Sequence, residues 1–181
     1  MNVRMLMGIT NRLFPTANAY FSIVVFICFV GISLFLFYLS RYDLLHHSLT
    51  KTQRNLVLVL LPVAGFCGYA LYGASLDLFL SFFILAGYYY GVSLYCSCQN
   101  PPKRAFGGCD ILAAPLFTIW FGTGVIVFLI IYLVLYCLAC IPPIREFICS
   151  FNLEGEESKG LPLFPILFIT YVLSFLIYFS C

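Results

Sequence analysis

The sequence predicts an all-α integral membrane protein of about five transmembrane helices, four at the least, with a tight hairpin between the second and third. Three observations carry this. Of the 181 residues, 63% are hydrophobic and 9% charged, whereas soluble domains average roughly 45–50% and roughly 25%. Mean hydropathy is +1.04. A soluble fold of this size exposes too much surface to hide so much Phe, Leu, Ile and Val, and disorder needs the opposite composition. Third, the apolar residues fall into long runs of bilayer length.

Residues 1–18 contain Arg4 and Arg12, no acid, and Met5, Leu6, Ile9, Leu13 and Phe14. That is a basic segment suited to the membrane interface, with a mitochondrial presequence as the alternative. The first span is 19–40, without a charge, about 33 Å as helix against a hydrocarbon core of about 30 Å. It is too long for a signal-peptide core. A polar loop, 41–54, follows. The run 55–96, about 63 Å as helix, must cross twice. It turns at Gly73-Ala74-Ser75-Leu76-Asp77, where glycine, serine and the sole acid of the run coincide, so its halves are 55–72 and 78–96. Beyond a loop at 97–110, Pro115 and Pro142-Pro143 trim the run 111–144 to one tilted span, 116–141, of about 39 Å. A loop at 145–160 holds four of the seven acids, and 161–181 is the last span. Residues 19–181 thus form a single membrane domain.

With five spans the cations divide almost evenly. Arg41, Lys51, Arg54, Lys103 and Arg104 lie on one side; Arg4, Arg12, Arg145 and Lys159 lie on the other. The small excess puts the first and third loops in the cytosol or matrix and Ser158 opposite Ser48. No Asn-x-Ser/Thr sequon occurs. The net charge of +2 carries no nucleic-acid footprint. The expected partners are the lipid bilayer and a membrane protein or second copy of the chain. The expected location is an endomembrane such as the endoplasmic reticulum, with the mitochondrial inner membrane as the alternative.

Ionisable groups inside a span would point to transport or proton relay, and none lies well inside one. Asp77, at the hairpin turn, is the nearest. His46 and His47 are adjacent, a spacing that does not suit a zinc site. Cys137-Leu138-Ala139-Cys140 has the CxxC spacing of redox pairs. A five-span topology leaves Cys96, Cys98 and Cys109 on the opposite side, with only Cys149 near. Cys96 and Cys98 sit just outside a span before Lys103 and Arg104, as S-acylated cysteines do. Cys181 lies in no CaaX box. No cofactor or metal is expected.

The positive motifs are for helix packing. Gly87 and Gly91 form a GxxxG on the third span, where missing side chains let backbones approach. Ala64 with Gly68, and Thr118 with Gly122, repeat the small-xxx-small spacing on the second and fourth. These faces serve packing within the monomer or association with a partner. The reading that follows is a non-enzymatic accessory or scaffold subunit of a larger membrane complex. The alternatives are a thiol oxidoreductase using Cys137 and Cys140, and a small channel or lipid-handling protein lined by Ser, Thr and Tyr.

Overall fold

The computed structural model describes residues 19–99, 106, 108–151 and 161–180. The segment 1–18, the cations Lys103, Arg104 and Lys159, Ser158 and Cys181 lie outside the described residues. The described part is helical, with no strand: α1 (Ala19–His46), α2 (Lys51–Tyr72), α3 (Leu76–Ser97), α4 (Gly108–Thr118), a 3-10 turn at Gly122–Gly124, α5 (Val125–Ala139), α6 (Pro142–Cys149) and α7 (Leu163–Ser180). Four stretches are long and apolar enough to cross a membrane: Ile23–His46, Lys51–Tyr72, Leu76–Ser97 and Gly122–Ala139. The chain is an all-α membrane protein, with α4 and α7 as shorter apolar helices.

The hairpin turns where expected. Gly73 ends α2 with φ of 63° and ψ of −161°, and its N–H donates to Tyr69 O at 2.8 Å. That backbone region is open almost only to glycine. Its two helices nevertheless have few contacts with each other, because α4 packs against both. Residues 113–118 of α4 are all buried.

The expected single span 116–141 is corrected. Its chain breaks at Thr118, and α5 begins only at Val125. Pro115 does not start a helix but sits inside α4. The break reverses the chain. Gly108 and Asp110 line the same cavity as Asp43 and Lys51, so α4 starts at the end of the bundle where α1 meets α2. Its other end is at the hairpin turn. There the Thr118 hydroxyl donates to Ser81 O, Gly122 rests against Tyr72, and the Thr123 N–H donates to Asp77 Oδ1 at 3.1 Å. From there α5 leads back, setting Tyr132 against Tyr89 and Tyr136 near Phe106. Among the described residues six helices thus run alternately up and down the bundle, four of them with stretches long enough to cross a membrane and α4 over only part of its length. Leu161 lines the cavity with Ser48, so α7 starts at the end of the bundle where α1 ends.

Non-helical backbone at membrane depth is tolerated where protein encloses it and its polar groups find partners. Ile119, Trp120 and Phe121 are buried. The Trp120 indole N–H donates to Leu116 O at 3.2 Å, and the Thr118 hydroxyl also reaches Ala114 O at 3.2 Å. Leu116 is among the last four residues of α4, whose carbonyls a helix end leaves open. Aromatic rings close around the break. Phe29 meets Trp120 edge-on at 5.2 Å, and Phe121 lies 4.9 Å from Phe175.

Candidate active site

The residues at the other end of α4 form a cavity of about 880 Å³, within the range of small-molecule and peptide sites. Its walls come from the end of α1 (Asp43, His47), the start of α2 (Lys51, Arg54, Asn55), the start of α4 (Gly108, Cys109, Asp110) and the start of α7 (Leu163, Phe164).

Local rules build each wall. The helix α1 runs six residues past the expected limit of the first span, so Arg41, Tyr42 and Asp43 are helical. The ring of His46 stacks on Tyr42 at 4.3 Å. His47 ends the helix in the left-handed region, φ 49°, and its N–H donates to Asp43 O at 2.8 Å, the role glycine usually takes at a helix end. Thr50 starts α2 through a capping box. Its hydroxyl accepts from Gln53 N at 3.2 Å, and Gln53 Oε1 accepts from Thr50 N at 2.8 Å. The Gln53 amide also donates to the Tyr38 hydroxyl at 3.2 Å, locking the start of α2 to α1. Outside the cavity lining, the Ser93 hydroxyl of α3 donates to Phe106 O at 3.2 Å, just before α4 begins.

Two carboxyl groups meet here. Asp43 is 7% exposed. Its Oδ2 accepts the Phe164 N–H at 3.1 Å, satisfying an otherwise open donor in the first turn of α7, where an anion also suits the helix dipole. Asp110, half-buried, stands in the first turn of α4. Asp43 and Asp110 line the same cavity, together with Cys109 and Arg54. A buried carboxyl coupled to a second one in a cleft is a recurrent acid–base arrangement.

The residues singled out in the sequence lie elsewhere. Ala64 and Gly68 are buried and pack inside the monomer: a Cβ at Gly68 would overlap Ile119 and lie 2.8 Å from Leu78 Cδ1. Thr118 is buried at the end of α4, but Gly122 lies beyond the helix with φ of 54°. The two do not share a helix face, so this pair is corrected. Gly87 and Gly91 are exposed, and an added Cβ would meet no described atom within 4 Å. They are therefore not the internal contact between the hairpin's halves. Asp77 is half-buried and clips the chain break.

Cys96 is half-buried, Cys98 is exposed at the end of α3, and Cys137 and Cys140 are exposed at the end of α5. The six-pass path brings these four, with Cys109, to the cavity's end of the bundle, where a five-span reading separates them. Among the described residues, no group of three or more His, Cys, Asp or Glu is arranged to hold a metal ion.

Asp43 and Asp110 were missed because each stands in a loop of the five-span reading, where acids are expected. The available signal was their position. Each sits against the end of an apolar run, and both runs end on the same side. No protein-family model matches this chain, and no curated protein or solved structure is detectably similar to it.

Proposed function

We propose that the chain is a membrane-embedded hydrolase that works through the carboxyl pair Asp43 and Asp110. The observation that carries this reading is their meeting in one cavity, one of them buried, from helices 67 residues apart in sequence. Two carboxyl groups facing one cavity can divide the work of acid and base, one protonated and one ionised. The ionised one takes a proton from water as the water oxygen attacks an acyl carbon. The protonated one donates to the carbonyl oxygen; on collapse the first carboxyl passes its new proton to the leaving group as the C–N or C–O bond breaks, and the second takes a proton back from a hydroxyl of the tetrahedral diol. No cofactor enters such a step. Lys51 and Arg54 on the rim suit an extended polypeptide or headgroup entering from the aqueous side.

The cation count supports an orientation. Among the described residues, the cations Arg41, Lys51, Arg54 and Arg145 all stand near helix ends on the cavity's side of the bundle. That one-sided placement supports a cavity facing the cytosol or matrix. The former fits an endomembrane such as the endoplasmic reticulum; the latter fits the mitochondrial inner membrane.

The test uses peptides in which a hydroxyl-bearing tetrahedral isostere replaces the scissile bond, since a site built for the transition state binds its mimic more tightly than a substrate. Carrying a photocrosslinker, such a peptide should label the purified protein on α1 or α4. Asp43→Asn and Asp110→Asn should each abolish labelling and cut peptide-library hydrolysis by at least about 10²-fold, the lower range for acid–base groups, with a bell-shaped pH profile in the parent. Labelling unaffected by either substitution would sink the reading.

A second reading keeps the accessory role, alone or beside hydrolysis. The open face at Gly87 and Gly91 supports it, since small residues facing lipid leave room for a neighbouring helix.

A further inference from the structure

The helix α6 stands apart from the bundle. Its substantial contacts are with the end of α5, and residues 142–147 are all exposed. Its sequence is cleanly two-faced. Ile144, Phe147, Ile148 and Phe151 follow the i, i+3, i+4, i+7 spacing of one apolar stripe, while Arg145, Glu146, Cys149 and Ser150 fall on the opposite arc. Ile148 turns back toward the core. Phe147 is 64% exposed, and its ring meets Phe151 edge-on at 5.2 Å.

The neighbouring surface says what covers this stripe. The outer face of α5 exposes Ile126, Ile130, Val134 and Leu138, and Ile141 continues it to the first residue of α6. That face belongs to a helix long and apolar enough to cross the bilayer, so its exposed side meets lipid. At Pro142-Pro143 the chain starts a new helix, and prolines suit that first turn. The apolar stripe of α6 is thus a direct continuation of a lipid-facing surface, at the level where the hydrocarbon ends.

We propose that α6 lies on the membrane surface as an interfacial anchor. Ile144, Phe147 and Phe151 dip about 5–10 Å into the boundary between headgroups and acyl chains, and Arg145 sits among the phosphates. This does not depend on the chemistry assigned to Asp43 and Asp110.

The test places a tryptophan at position 147 (Phe147→Trp) in the full chain, reconstituted into vesicles of phosphatidylcholine and phosphatidylglycerol. Trp120, the sole native tryptophan, is buried and supplies a baseline measured in the parent. The added emission should be shifted to the blue. Lipids brominated near the headgroup should quench it more than lipids brominated near the chain end. Adding Ile144→Asp should move the emission back to the red without changing the Trp120 signal. Solvent-like emission that neither lipid quenches would overturn the proposal. So would blue-shifted emission that neither lipid quenches, which would mean that a protein surface, such as a second copy, covers the stripe.

Discussion

The two apolar runs that reverse direction do so by different physics. The first, at Gly73, turns outside the helices on one glycine in a backbone region other residues avoid, with a cap from its own N–H to Tyr69. The second, at 119–124, is buried from Ile119 to Gly122 and borrows its partners: Asp77 from α3 for the Thr123 N–H, the Trp120 indole for Leu116 O, and Ser81 O for the Thr118 hydroxyl. A surface turn needs only a permissive residue. An interior one needs polar side chains and a shell of rings, and in return it lets a helix of about 16 Å carry Asp110 at its start.

The largest test of that contrast is all-or-none. Reporters at Ser48 and Ser158 should lie on the same side of the membrane; opposite sides would mean that the second break does not reverse the chain. Next, Gly68→Leu drives a side chain into Ile119 and Leu78, wedging the break away from α2. Overpacking of this kind costs about 1–3 kcal/mol, and the midpoint of unfolding in detergent should fall accordingly. Gly91→Leu on the open face should move the same midpoint by less than about 0.5 kcal/mol. If it releases a co-purifying chain while the monomer keeps its midpoint, the accessory reading gains its partner. The turns themselves can be compared on the same scale. Gly73→Ala should cost about 1–3 kcal/mol through backbone strain. Asp77→Ala, which removes one partly exposed hydrogen bond, should cost about 1 kcal/mol. A larger loss for Asp77→Ala than for Gly73→Ala would invert the picture of which turn leans on a single residue.

Composition and run length were enough to predict a helical membrane protein, and the coincidence of Gly73, Ser75 and Asp77 marked the first turn. The second carried a similar mark in Gly122-Thr123-Gly124, but the length argument suppressed it. At about 39 Å, the stretch 116–141 looked like one tilted span because two full spans did not fit. That arithmetic assumes every crossing meets lipid. A half-length helix whose inner half is fully buried, as 113–118 of α4 are, escapes it. The same assumption hid the site, since the acids at the ends of α1 and α4 read as loop residues until α4 became a crossing element. Of the packing motifs, Gly68 and Ala64 are internal because α4 occupies the groove beside them. Gly87 and Gly91 face outward on a helix whose buried side is Ser81, Leu85 and Tyr89. Spacing alone does not distinguish those two faces.

The hydrogen bond from Phe164 N–H to Asp43 has a consequence in time. The two residues leave the ribosome 121 positions apart. At about 5–20 residues per second, Asp43 waits roughly 6–24 s for the segment that caps it. During synthesis the first helix therefore sits in the membrane with its carboxyl group unclaimed by α7. The cavity gains its last wall only when α7 arrives, so the chemistry assigned to the pair is withheld from every nascent chain shorter than that.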